Sequence, residues 1–141
     1  MSATLLALVL AAGAGFEVND AAETGIAVYP GARPEKRSGD SPALTLGFWG
    51  GSKDFRLALA KYISADEPAR VAEFYRTELA KLGRVVDCSA DSGDELCGDA
   101  SREEGVIELR VGKKKDQRIV AISPLKKGSK LVLLLMRARW L

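Results

Sequence analysis

Residues 68–82, PARVAEFYRTELAKL, form the stretch that decides the fold. Its apolar residues recur at the spacing i, i+3, i+4, i+8, i+11, which places them on one side of a helix. These residues are Val71, Phe74, Tyr75, Leu79 and Leu82. Pro68 suits a first helical turn and Gly83 suits a helix terminator. The stretch therefore predicts one amphipathic helix with a single buried face.

Strand-like segments lie on both sides of this helix along the chain. They are 25–29, 43–49 and 55–63 before it, and 84–88, 106–111, 117–123 and 130–139 after it. Short polar connections separate the later segments, which is typical of antiparallel hairpins. Residues 131–136, LVLLLM, are all apolar, so this strand is expected at the centre of the sheet with both faces covered. We predict an α+β fold, with one main amphipathic helix packed on an antiparallel sheet of about five or six strands.

The composition excludes several classes of function. The chain has 141 residues, about the size of one domain, and 47% of them are hydrophobic. It contains no histidine, which removes Ser-His-Asp and Cys-His catalysis, histidine-containing zinc sites and the usual general base. No catalytic constellation is recognisable among the other residues. We therefore expect no enzymatic activity, no catalytic residues, no metal and no cofactor.

The N-terminal run 3–15, ATLLALVLAAGAG, is apolar or small throughout. It is too short to span a bilayer, which needs about 20 residues, so no transmembrane span is expected. It fits either the hydrophobic region of a signal peptide, with cleavage at 12–14, or a buried segment of the domain. We interpret 1–15 as one of these two, 16–24 as a linker and 25–141 as a single α+β domain. The first alternative predicts a periplasmic or secreted protein, and the second a cytoplasmic one.

The two cysteines bear on the same question. Cys88 and Cys97 bracket a loop rich in Ser, Asp and Gly, which suits a disulfide formed in an oxidising compartment. Closing this loop would stabilise the fold by ~2.5 kcal/mol. The alternative is a pair of separate thiols in a cytosolic protein.

Two further features of the sequence are of the kind that can form binding sites. Phe48 and Trp49 lie among glycines and form a candidate binding lip, or else an aromatic strand end packed over a hairpin. Lysines 113–115 and 126–127 occupy successive hairpin turns, which lie at opposite ends of a sheet. Because phosphate backbones need cations along one continuous face, we expect no binding to nucleic acid.

Two motifs carry a resemblance to known proteins. Residues 28–32, VYPGA, read as a YPGA strand-turn, and residues 66–83 fit the helix pattern DxPxxVxxFYxxxLxxxG. In this order they resemble small uncharacterised bacterial exported proteins, over about residues 25–138. The resemblance implies an exported α+β domain and supplies no activity or site residues.

These observations lead to two expectations of function. The first is a non-enzymatic periplasmic or envelope domain that binds a protein or a small ligand. The alternative is a cytosolic interaction or regulatory domain with an uncleaved N-terminus. Either could form a homo-oligomer.

Overall fold

The structure, a computed structural model, describes residues 14–17, 21–35, 43–48, 53–89, 93–98 and 103–140. Within these residues lie one helix, α1 (Pro68–Ala80), and eight strands that form one antiparallel sheet. The strands are β1 (Ala14–Glu17), β2 (Arg33–Pro34), β3 (Ala43–Phe48), β4 (Lys53–Ser64), β5 (Val85–Asp87), β6 (Ile107–Lys113), β7 (Asp116–Pro124) and β8 (Ser129–Trp140). The predicted α+β fold is therefore confirmed.

The strand order across the sheet is β1-β3-β4-β8-β7-β6-β5, and β2 pairs with β4. The apolar strand β8 thus lies in the middle, as its composition predicts. It pairs along its length with β4, from Ser64↔Ser129 to Lys53↔Trp140, and on its other side with β7. Strands β6, β7 and β8 follow one another as hairpins, which the short polar connections predict, and β5 pairs with β6 through a longer connection that contains the disulfide.

The segment 25–29, predicted as a strand, forms no strand in the structure, so that prediction is wrong. Its backbone makes local hydrogen bonds instead, from the Ile26 amide to Thr24 Oγ1 at 3.1 Å and from the Ala32 amide to the Tyr29 carbonyl at 3.0 Å. Ile26 and Tyr29 are buried in the core beneath it. The apolar residues of 25–29 therefore indicate that this segment packs its side chains over the sheet, and not that it pairs with a strand.

The segment 16–24, interpreted as a linker, contains the end of β1 and a 3₁₀ turn (Ala21–Thr24). Strand β1 pairs with β3, with Ala14 opposite Phe48. Thr24 is fully buried, and its carbonyl accepts a hydrogen bond from Arg118 Nε at 3.0 Å. These parts of the segment belong to the folded domain.

Helix α1 packs against β5, β6 and β7 through Val71, Ala72, Tyr75 and Leu79. Three residues of the predicted apolar stripe are therefore buried as expected, and Phe74 is partly buried. Leu82 is 46% exposed because the helix ends at Ala80, and the helical periodicity no longer directs its side chain inward.

The two faces of the sheet differ in what covers them. On the face towards α1, which we call the helix face, β8 contributes the buried residues Leu131, Leu133 and Leu135. On the opposite face, which we call the second face, it contributes Val132, Leu134 and Met136, and these are partly exposed. Among the described residues, no helix is both long and apolar enough to cross a membrane.

Candidate functional site

A disulfide joins Cys88, just after β5, to Cys97, and the two Cα atoms are 5.4 Å apart. This confirms the predicted pairing. Cys97 ends a second 3₁₀ turn (Glu95–Cys97), which we call the disulfide turn. Both cysteines are buried, and they pack with Val86 and Leu96 in a small apolar cluster separate from the main core.

Polar contacts fix the start of the disulfide turn. The Asp94 carboxylate accepts a hydrogen bond from the Leu96 amide at 3.0 Å, and a second from Arg84 Nη1 at 3.0 Å. The Leu96 amide, and then the Arg84 guanidinium, hold the pKa of Asp94 below its usual value because both favour the charged carboxylate. The turn is thus held by a cap at one end and a covalent bond at the other.

The disulfide turn and the β6–β7 hairpin enclose a groove of about 580 Å³ on the second face, which we call the disulfide groove. One wall is the disulfide turn, and the other is the hairpin connection Lys114-Lys115. The floor comes from β8. The lining residues are Glu95, Leu96, Gly98, Lys114, Lys115, Gln117, Met136 and Ala138.

One buried hydrogen-bond network connects the two walls. Arg110 Nη1 donates to the Leu96 carbonyl at 2.8 Å and to Gln117 Oε1 at 3.3 Å. Gln117 Nε2 donates in turn to the Lys114 carbonyl at 3.1 Å. Arg110 Nε pairs with the Glu108 carboxylate at 2.7 Å. Arg110 is 5% and Gln117 3% exposed, so the network fixes both walls from beneath.

Sequence reasoning did not single out Arg110 or Gln117. The alternation in β6 places Ile107, Leu109 and Val111 on the buried face, so Arg110 is expected on the solvated one. Arg110 does lie on the second face, but the disulfide turn covers it. The signal in the sequence is weak, since it consists only of Glu108 and Arg110 two residues apart on one side of a strand.

The two motifs of the resemblance meet across the helix face. Tyr29 Oη donates to Asp66 Oδ2 at 2.5 Å, and the Tyr29 and Phe74 rings pack edge to face with centroids 5.2 Å apart. The hydrogen bond to Asp66, and then burial, raise the pKa of the Tyr29 phenol. Asp66 is itself fixed, because its carbonyl accepts a bond from Ser129 Oγ at 2.7 Å. These contacts attach the segment 25–29, which follows the first 3₁₀ turn, to the start of α1 and to Phe74.

Tyr75, beside Phe74 on α1, has the same anchoring role. It is fully buried, and its hydroxyl donates to the Ala27 carbonyl at 2.8 Å. Burial raises the pKa of its phenol far above the usual value. A groove of about 580 Å³, which we call the helix groove, runs beside these aromatic residues along α1. Asp66, Arg70, Glu73 and Glu78 supply its charged side chains.

The candidate lip of Phe48 and Trp49 falls largely outside the described residues. Phe48 ends β3 and stands opposite Phe55 in the ladder, but its side chain is not described. Trp49 lies outside the described residues altogether. The lip stays a prediction.

The lysine turns are placed as the hairpin pattern predicts. Lys114 and Lys115 connect β6 to β7, and Lys126 and Lys127 connect β7 to β8 at the other end of these strands. In the described part of the chain, no three His, Cys, Asp or Glu side chains are grouped as a metal site.

Comparison of the chain with protein-family models, with curated proteins and with solved structures finds no match.

Proposed function

We propose that this chain is a non-enzymatic binding domain of the periplasm or cell envelope, and that the disulfide groove is its binding site. The observation that carries the proposal is the buried network from Leu96 through Arg110 and Gln117 to Lys114. It holds two walls apart over an open floor. A site that is fixed before the ligand arrives loses little conformational freedom on binding.

The chemistry of the groove favours binding over catalysis. Its volume of about 580 Å³ lies within the usual range for small-molecule sites. Its floor is apolar, with Met136 and Ala138, and polar groups stand at its rim. Among the lining residues that the structure describes, none supplies a hydroxyl, thiol or imidazole that could serve as a nucleophile beside a base.

Three observations support a location outside the cytoplasm. The disulfide is buried and shapes the proposed site, and such bonds persist in oxidising compartments. The run 3–15 suits a signal peptide. The two motifs that meet at Tyr29 and Asp66 are those that resemble exported bacterial proteins. The alternative is a cytosolic interaction domain that keeps its N-terminus.

A second candidate function is binding of a partner protein. Leu57 and Leu59 of β4 stand opposite Met136 and Leu134 of β8, and all four are partly exposed on the second face. They extend the apolar floor of the disulfide groove sideways. An apolar patch of this kind suits a protein surface as well as a small molecule.

The neutral fluorescent probe N-phenyl-1-naphthylamine tests the proposed site. We expect saturable binding to the oxidised full chain and loss of binding in Ala138→Phe, which fills the groove floor. Thr77→Phe is the matched control, because it places the same side chain in the helix groove. If the probe does not bind, or if only Thr77→Phe abolishes binding, the disulfide groove is not the site.

A further inference from the structure

We infer that the disulfide groove takes an amphipathic anion, with a carboxylate or phosphate headgroup held by Lys114 and Lys115 and an apolar chain lying on the β8 floor. This inference rests on the proposed function, since it names the ligand class of the same site. It goes beyond that function by assigning a charge, an orientation and a length to the ligand.

The two lysines of the rim carry the charge argument. Their backbone is fixed, because Gln117 Nε2 binds the Lys114 carbonyl and the Ala138 amide binds the Lys115 carbonyl at 2.7 Å. Their side chains are exposed, and neither ammonium forms an ion pair with a described carboxylate. By contrast, Lys81 and Lys130 pair with Glu78 and Glu35. The rim thus presents two exposed cations on a fixed backbone.

The opposite wall gives the ligand an orientation. Glu95 lines the groove on the disulfide turn, where its carboxylate repels an anion. The polar groups beneath the floor do not compete for the headgroup, because Arg110 is bonded to Glu108, Leu96 and Gln117. The headgroup is therefore directed to the lysine side.

The floor sets the length of the apolar part. From the lysine side it runs along β8 over Ala138 and Met136 towards Leu134, alternate residues on the second face. The distance from Ala138 to Leu134 along a strand is about 14 Å, the length of roughly ten methylene carbons. Leu57 and Leu59, opposite Met136 and Leu134, flank this path.

The helix groove has the opposite character. Its charged side chains are three carboxylates, Asp66, Glu73 and Glu78, and one guanidinium, Arg70. An anionic ligand is disfavoured there by like charge. The two grooves thus differ in the charge that each presents to a ligand.

Displacement of bound N-phenyl-1-naphthylamine from the full chain tests the inference. The competitors are decanoate, decyl phosphate, decanol and decyltrimethylammonium, all below their micelle concentrations. We expect both anions to displace the probe at concentrations about tenfold below that of decanol, and the cation to be the weakest. The stronger of the two anions identifies the headgroup.

The matched variants are Lys114→Ser/Lys115→Ser and Lys126→Ser/Lys127→Ser, which lose the same charge at opposite ends of the sheet. We expect the first to abolish the preference for anions over decanol and the second to keep it. Equal displacement by all headgroups, preference for the cation, or equal loss in both variants would overturn the inference. Failure of the probe itself to bind would instead count against the proposed function.

Discussion

The Arg110 side chain connects both walls of the disulfide groove by hydrogen bonds. It binds the Leu96 carbonyl of one wall directly, and the Lys114 carbonyl of the other through Gln117. We expect Arg110→Met to lower the free energy of unfolding by about 3 kcal/mol, because it leaves the Glu108 carboxylate without its partner. The two side chains are only 6% and 13% exposed, so solvent screens this loss weakly. Urea unfolding measures it, with Arg76→Met as control, since the Arg76–Asp87 pair is 49% and 44% exposed and contributes little.

The double variant Arg110→Met/Glu108→Met separates the stability effect from the effect on the site. Part of the lost stability should return, because no charge is left buried alone. Binding of N-phenyl-1-naphthylamine should be weak in Arg110→Met and equally weak in the double variant, because in both the Leu96 carbonyl and the Gln117 side-chain amide lack their common donor. Full recovery of binding in the double variant would show that Arg110 does not position the walls.

Asp94 gives the disulfide turn a dependence on pH. Its pKa is lowered in the folded chain, so its contribution to stability is present above the unfolded value of about 3.9 and is lost as pH falls through the lower folded value. Asp94→Asn retains an acceptor for the Leu96 amide but does not titrate. The urea midpoint of the wild type should therefore exceed that of Asp94→Asn at pH 6 and approach it below about pH 4. A difference that is constant with pH would contradict this.

Among the elements, the disulfide turn combines a covalent bond with a wall of the proposed site. We expect Cys88→Ser/Cys97→Ser to lower the free energy of unfolding by ~2.5 kcal/mol in the chain-entropy account, and to weaken probe binding because the wall is released. Urea unfolding and probe titration measure the two effects.

Reduction of the Cys88–Cys97 bond with dithiothreitol gives a second test that does not change the sequence. It should weaken probe binding to the wild type as the double substitution does, and it should leave the double variant unchanged. Reduced wild-type protein that binds the probe as tightly as oxidised protein would show that the turn keeps its place without the bond.

Helix α1 and the hairpins of β6, β7 and β8 were predictable because their signals are local. The spacing of Val71, Tyr75 and Leu79 gives the buried face directly. The segment 25–29 was predicted wrongly because its apolar residues look the same whether they pair in a sheet or cover one. Whether Leu82 is buried depends on where the helix ends, and a Gly83 terminator locates that end only within a turn.

At the scale of the whole molecule, the central place of β8 was predictable from its apolar run, but the disulfide groove was not. The groove depends on two hydrogen bonds of the Arg110 side chain. One is to the Leu96 carbonyl, 14 residues earlier in the chain, and the other is to Gln117, on the opposite strand of the β6–β7 hairpin. No periodicity in the sequence records such contacts. The phenol–carboxylate bond between Tyr29 and Asp66 joins residues 37 apart and is non-local in the same way.

The separation of the two lysine turns across the sheet predicts weak binding to nucleic acid. The Lys114-Lys115 and Lys126-Lys127 turns lie at opposite ends of β7, so few phosphates can be contacted at once. We expect the dissociation constant for duplex or single-stranded DNA to lie above about 1 μM at physiological salt. Fluorescence anisotropy measures it. Tighter binding with a steep salt dependence, lost in Lys114→Ser/Lys115→Ser, would contradict the prediction.

The central position of β8 also has a consequence for how the chain folds. In the described sheet, β8 is the strand that joins β1, β3 and β4 on one side to β7, β6 and β5 on the other. Its ladder with β4 joins residues as far apart as Lys53 and Trp140. The chain must therefore close a long loop before these contacts contribute, and this entropy cost slows folding in proteins dominated by distant pairings. Until that loop closes, the two halves of the sheet have no common ladder, and the facing edges of β4 and β8 are open to pairing with other chains.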